Sequence, residues 1–104
     1  MNHIPENLLH SIVRVYAPRR VVLFGSYARN EADSNSDIDL LVILDDDAPA
    51  EALSWRRRYE ARKGFAGSVD IIPCRESALR ERGRAQGSFA HTILREGVVV
   101  YERH

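Results

Sequence analysis

The chain has 104 residues, 44% apolar and 29% charged, with 15 acidic and 15 basic side chains. That length suits one domain, residues 1–104, with a real core and no room for a second. No stretch approaches the roughly 18 apolar residues of a membrane helix, Met1–Glu6 lacks the basic flank and apolar run of a secretory signal, and the single Cys74 excludes an internal disulfide. A soluble, cytoplasmic protein with no membrane partner is expected. The balanced charge hides an asymmetry: residues 1–51 carry nine acids and four bases, residues 52–104 six acids and eleven bases. This suits a site holding metal on its acidic part and meeting an anionic ligand or acidic partner with its basic part, and equally an evenly solvated surface.

In chain order, Ile4, Leu8, Leu9, Ile12, Val13, Val15 and Tyr16 recur at helical spacing, with Pro5 suited to a first turn and Pro18 unable to continue it, so the pattern predicts a helix over 4–16. Val21–Phe24 is a buried strand with a sharp exit at Gly25. Residues 26–30 read as the opening turn of a short helix, 31–36 as a polar loop and 37–44 as a second strand, followed by an acidic loop at Asp45–Asp47. A helical pattern runs from Pro49 to about Lys63 and closes at Gly64 and Gly67. A third strand spans 68–72 and stops at Pro73. Helices are predicted over 76–82 and 86–95, the latter with Phe89, Ala90, Ile93 and Leu94 on one face, and a final strand over 98–101. The fold class is α/β or α+β, without repeats or low-complexity tracts.

Three aspartates stand where aspartate is unexpected. Strand alternation puts Asp37 and Asp39 on one face, about 7 Å apart, while Ile38, Leu40 and Val42 point the other way into apolar packing. Such a pair can ligate one hard cation or bridge two, and its mutual repulsion favours a bound ion. The same residues could instead close an Asp-rich turn, Asp33-Ser34-Asn35-Ser36-Asp37. Asp70 interrupts the short strand Ser68–Ile72, which calls for a partner. Beside residues 37–44 it would be a third ligand or the base that takes a proton from an attacking hydroxyl; otherwise it would pair with an arginine. Gly25 lets the backbone approach a ligand closely, and a helix starting at Ser26 would offer free N–H groups and a hydroxyl to phosphate oxygens, although Ser26 could equally be an N-cap. Arg29 would lie nearby, facing phosphate, Glu31 or Asp33, or solvent.

Taken together, Leu23-Phe24-Gly25-Ser26-Tyr27-Ala28-Arg29, the aspartates of Asp37-Ile38-Asp39-Leu40-Leu41-Val42, and Asp70 on a later strand resemble the DNA polymerase β-like nucleotidyltransferase superfamily, in particular its small members, the minimal nucleotidyltransferases or MNT proteins. The ending Arg95–Glu102 extends the likeness more loosely. The resemblance implies a small mixed sheet flanked by helices. It also implies Gly25, Ser26 and Arg29 on the triphosphate, Asp37 and Asp39 on magnesium, two ions in all, and Asp70 completing the triad. The implied reaction transfers a nucleoside monophosphate, AMP from ATP, and releases pyrophosphate. Relatives often have glycine where this chain has Asn30, which tolerates the left-handed backbone better than other side chains. With no room for an acceptor domain, the resemblance implies a HEPN-domain ribonuclease toxin as partner, modified on a tyrosine, and an antitoxin role. Neutralisation by binding alone and transfer to a small molecule such as an aminoglycoside are the alternatives.

The remaining features carry less. Arg56–Arg58 with Arg62 and Lys63 wraps much of a helix and reads as a solvated face; aromatics are not interleaved with it, so nucleic-acid binding is not indicated. Trp55 and Tyr59, four apart, read as core or interface packing. His3, His10, His91 and His104 lack metal-ligand spacing, and Cys74 reads as a small buried residue.

Overall fold

A strand with five successive apolar residues needs cover on both faces, and Leu40–Leu44 is such a run. The computed structural model, which describes residues 4–33 and 36–103, puts it at the centre of a four-stranded mixed sheet. Here β1 is Arg20–Phe24, β2 Ile38–Leu44, β3 Val69–Arg75 and β4 Val98–Glu102, in the order β3-β2-β1-β4. β1 is antiparallel to both β2 and β4, whereas β3 runs parallel to β2. A parallel neighbour requires a crossover. It is supplied by a 3₁₀ turn, Ala50–Leu53, and helix α2, Trp55–Arg62; helix α1 is Glu6–Tyr16. Leu40, Val42 and Leu44 pack with Leu8, Ile12 and Ala61 of α1 and α2. Leu41 and Ile43 pack on the opposite face with Val22, Cys74, Leu79 and Ile93, beneath α3 (Glu76–Gly83) and α4 (Phe89–Glu96).

Most predicted elements form, with instructive differences. The helical pattern over 49–63 splits at Ser54, which is extended and whose hydroxyl accepts from the Arg57 N–H, so it caps α2 rather than continuing a helix. Pro73 does not stop β3, which continues to Arg75. β3 is an edge strand, where a residue lacking an N–H is tolerated because only one side of the strand is paired. Residues 26–30 form a hydrogen-bonded turn rather than a helix, closed by Glu31 N–H to Ser26 O at 2.9 Å. The closure depends on Asn30, whose φ of 58° turns the chain out of the helical path, in the left-handed conformation expected of it. Arg57 does more than face solvent: partly exposed, it donates to Val15 O at 2.8 Å and pairs with Glu51, tying α2 to α1. Trp55 and Tyr59 are 70% and 53% exposed, so neither is core, while Cys74 is buried. Ser34, Asn35, His3 and His104 lie outside the described residues. Among the described residues no helix is long and apolar enough to cross a membrane.

Candidate active site

β1 ends at the edge of the sheet where β2 and β3 begin, so this edge collects the end of one strand and the starts of two. Phe24 is opposite Asp39, and Asp39 is in register with Asp70. In-register neighbours point to the same face and their backbones lie about 4.8 Å apart. Asp39 and Asp70 therefore share the α4 side, just beyond the apolar positions Leu41 and Ile72. Asp37 immediately precedes β2 and is exposed.

The Asp39 carboxyl is held above the ordinary carboxylate range, first by its partial burial, then by the charges of Asp70 and Asp37, with Arg29 acting in the opposite sense. The four side chains thus form one electrostatic group. No ion pair among the described residues takes up Asp37, Asp39 or Asp70, so the structural alternative for Asp70, a salt bridge to arginine, is not formed. Arg29 lies 3.4 Å from Glu31 in an exposed pair and remains close enough to lower the Asp39 pKa.

Gly25 adopts φ +76°, and a Cβ there would collide with the Asp39 carboxylate. Glycine is thus required twice, by its backbone angle and by the approach of a side chain from the neighbouring strand. The bonds that close the following turn use the N–H groups of Arg29, Asn30 and Glu31, leaving those of Ser26 and Tyr27 unused by it. The turn can therefore present backbone donors to an anion without a full helix behind it.

Gly25, Arg29, Asp39 and Asp70 line a cleft of about 320 Å³. The structure brings these four together, sets Ser26 next to them in the turn, and leaves Asp37 outside the lining. The far wall, which sequence reasoning did not assign to a site, is α4: Phe89, Thr92, Ile93 and Glu96. Their spacing of three, four and seven is a helix-face signal, obscured because Phe89 and Ile93 also read as ordinary core positions. Phe89 meets Phe24 edge to face, with ring centroids 5.6 Å apart.

Among the described residues no three potential ligands form a preassembled metal cage. Asp39 and Asp70 with Asp37 at the rim are instead an open set of hard oxygen donors whose mutual repulsion a divalent cation would relieve, so the donor set fits magnesium.

A glycine turn facing aspartates on two parallel strands is an arrangement suited to nucleotidyl transfer. The chain belongs to the family described as Polymerase beta, Nucleotidyltransferase, whose model matches residues 6–104. It is 32% identical over 72 residues to a protein of Methanocaldococcus jannaschii named "Putative protein adenylyltransferase", an alignment covering 69% of this chain and 75% of that one. Among solved structures, it is similar to a toxin-antitoxin structure with AMP-PNP (TM-score 0.62, 23% identity, 97% of this chain and 76% of that one). It is also similar to a mutant toxin-antitoxin MntA-HpeT structure (TM-score 0.59, 21% identity, 97% and 75%). At these identities the structural likenesses establish the shared fold.

Proposed function

We propose that this enzyme transfers AMP from ATP to a hydroxyl of a partner protein, a tyrosine of a HEPN-domain ribonuclease toxin, and so acts as its antitoxin. The observation that carries the chemistry is the register of Asp39 with Asp70 beside a glycine turn that a Cβ would obstruct. The adenylyl donor and protein acceptor are suggested by the name of the archaeal relative, and the toxin setting by the titles of the structural neighbours.

In this reading Gly25 and Ser26 hold the triphosphate through backbone N–H groups and the Ser26 hydroxyl, and Arg29 neutralises phosphate charge. Asp37, Asp39 and Asp70 would hold magnesium, proposed as two ions, whose charge would offset that on the phosphoryl oxygens. Asp70, exposed on the edge strand, accepts the proton of the attacking hydroxyl. The acceptor oxygen bonds to the α-phosphorus as the bond from that phosphorus to the α,β-bridging oxygen breaks, and pyrophosphate leaves with the bond's electrons.

The test is intact-mass spectrometry of a HEPN-domain protein found encoded beside this chain, the proposed toxin, after incubation with the enzyme, ATP and magnesium, in parallel with the Asp37→Ala/Asp39→Ala variant. Addition of one or more adenylate units by wild type alone is expected. An unmodified toxin, bound tightly and neutralised by both forms, would replace the proposal with neutralisation by contact.

A further inference from the structure

In-line phosphoryl transfer puts the entering oxygen, the phosphorus and the leaving oxygen on one line. On the reading just given, that line crosses the strands, from the Gly25–Ser26 turn at the end of β1, past Asp39 on β2, to Asp70 on β3. The nucleoside is another substituent on that phosphorus and must depart at a steep angle to the line. One such direction runs along the strands, over the positions that follow the carboxylates on the same face: Leu41 after Asp39, then Ile72 and Cys74 after Asp70.

A second cavity of about 400 Å³ opens there, between the sheet and helices α3 and α4. It shares Ile72, Phe89 and Ile93 with the carboxylate cleft, so the two adjoin at these side chains. We propose that this cavity is the nucleobase pocket, receiving the base of the nucleoside triphosphate whose phosphates lie at Gly25 and Ser26.

Its chemistry suits a flat heteroaromatic ring. Leu41, Ile72, Cys74 and Leu79 supply an apolar lining, and Phe89 stands where both cavities meet, 62% exposed with only an edge-to-face contact to Phe24. An aromatic ring held at one side and bare on the other is a stacking platform for a base. Arg82 also lines the pocket and makes no ion pair with a described residue, so its guanidinium can donate to acceptor atoms on the base. The competing occupant is an aromatic side chain of the acceptor. It is disfavoured because the acceptor must enter opposite the leaving pyrophosphate, beyond Asp70 at the sheet edge.

The chain's single cysteine lies in the wall of this pocket, nearly buried and with its thiol pKa raised by that burial, so its slow alkylation at alkaline pH serves as a reporter. The experiment compares the rate at which iodoacetamide modifies Cys74 alone, with magnesium and saturating ATP, and with magnesium and saturating inorganic tripolyphosphate; affinities are measured by calorimetry. ATP is expected to slow modification several-fold beyond tripolyphosphate. Phe89→Ala, an exposed substitution, is expected to weaken ATP binding by about 5- to 100-fold while leaving tripolyphosphate binding unchanged. ATP that binds without protecting Cys74 beyond tripolyphosphate, or that binds Phe89→Ala as well as wild type, would overturn the pocket assignment and leave the cavity to the acceptor. ATP that does not bind at all would overturn the reading of the cleft itself, and the pocket with it.

Discussion

Replacing Gly25 by alanine adds one methyl group and tests two separate demands. The first is conformational: φ at this position is +76°, and an L-residue held in the left-handed region costs about 1–2 kcal/mol. For a chain of this size each kcal/mol lowers the melting temperature by about 4–8 °C, so Gly25→Ala should lose roughly 4–16 °C. The second is steric: the new Cβ would collide with the Asp39 carboxylate, which must swing away from its place beside Asp70. A misplacement of about 1 Å at a reacting centre can cost about 100-fold in rate. Gly64 separates the two effects. Its φ is +89° with nothing within 4 Å of an added Cβ, so Gly64→Ala carries the backbone cost without the collision. Thermal melts and transfer rates should show both variants destabilised similarly and only Gly25→Ala impaired by about two orders of magnitude. Equal activity in the two alanine variants would refute the claim that the glycine exists to let Asp39 approach.

Other outcomes follow from particular contacts. Because burial, Asp70 and Asp37 raise the Asp39 pKa, its ionised form opposes folding at neutral pH, and the opposition disappears as pH falls below the ordinary carboxylate range. Asp39→Asn should therefore raise the midpoint of the metal-free protein in neutral-pH denaturant titrations with EDTA while abolishing transfer, and an unchanged or lower midpoint would contradict the repulsion argument. Asp45 shows the opposite sign: its hydrogen bonds to Arg103 and Arg19 lower its pKa, so its stabilising effect is complete above the ordinary range and fades as pH falls through the lowered value. Melts of Asp45→Asn and wild type should differ at pH 7 and converge in strong acid; a constant gap would exclude charge as the cause. Ser54→Ala removes the α2 cap and should cost about 1 kcal/mol by urea titration, with transfer unaffected because α2 packs on the sheet face opposite the carboxylates.

Local elements were largely legible because they depend on neighbours in the chain. The apolar run Leu40–Leu44 is enough to announce a central strand, and Val21–Phe24 ending in Gly25 a strand with a sharp exit. The helix readings that did not hold, across Ser54 and over residues 26–30, have a shared cause in Ser54 and Asn30. Each is a short polar residue whose local conformation interrupts a pattern that the side chains around it would otherwise continue.

By themselves, the residues determined that three aspartates stand within or at the start of short apolar strands, that a Gly-Ser pair follows a buried strand, and that both belong to one nucleotidyl-transferring pattern. Only the tertiary structure decided that β3 lies parallel to β2 with Asp70 opposite Asp39, and that α4 closes the cleft with Phe89, Thr92 and Glu96. Strand register across a crossover is set by which apolar residues can be buried together on both faces of the sheet, and a one-residue slip would turn Asp70 to the other face. That choice depends on contacts between residues far apart in the chain, such as Leu41 with Ile93, which no local pattern contains.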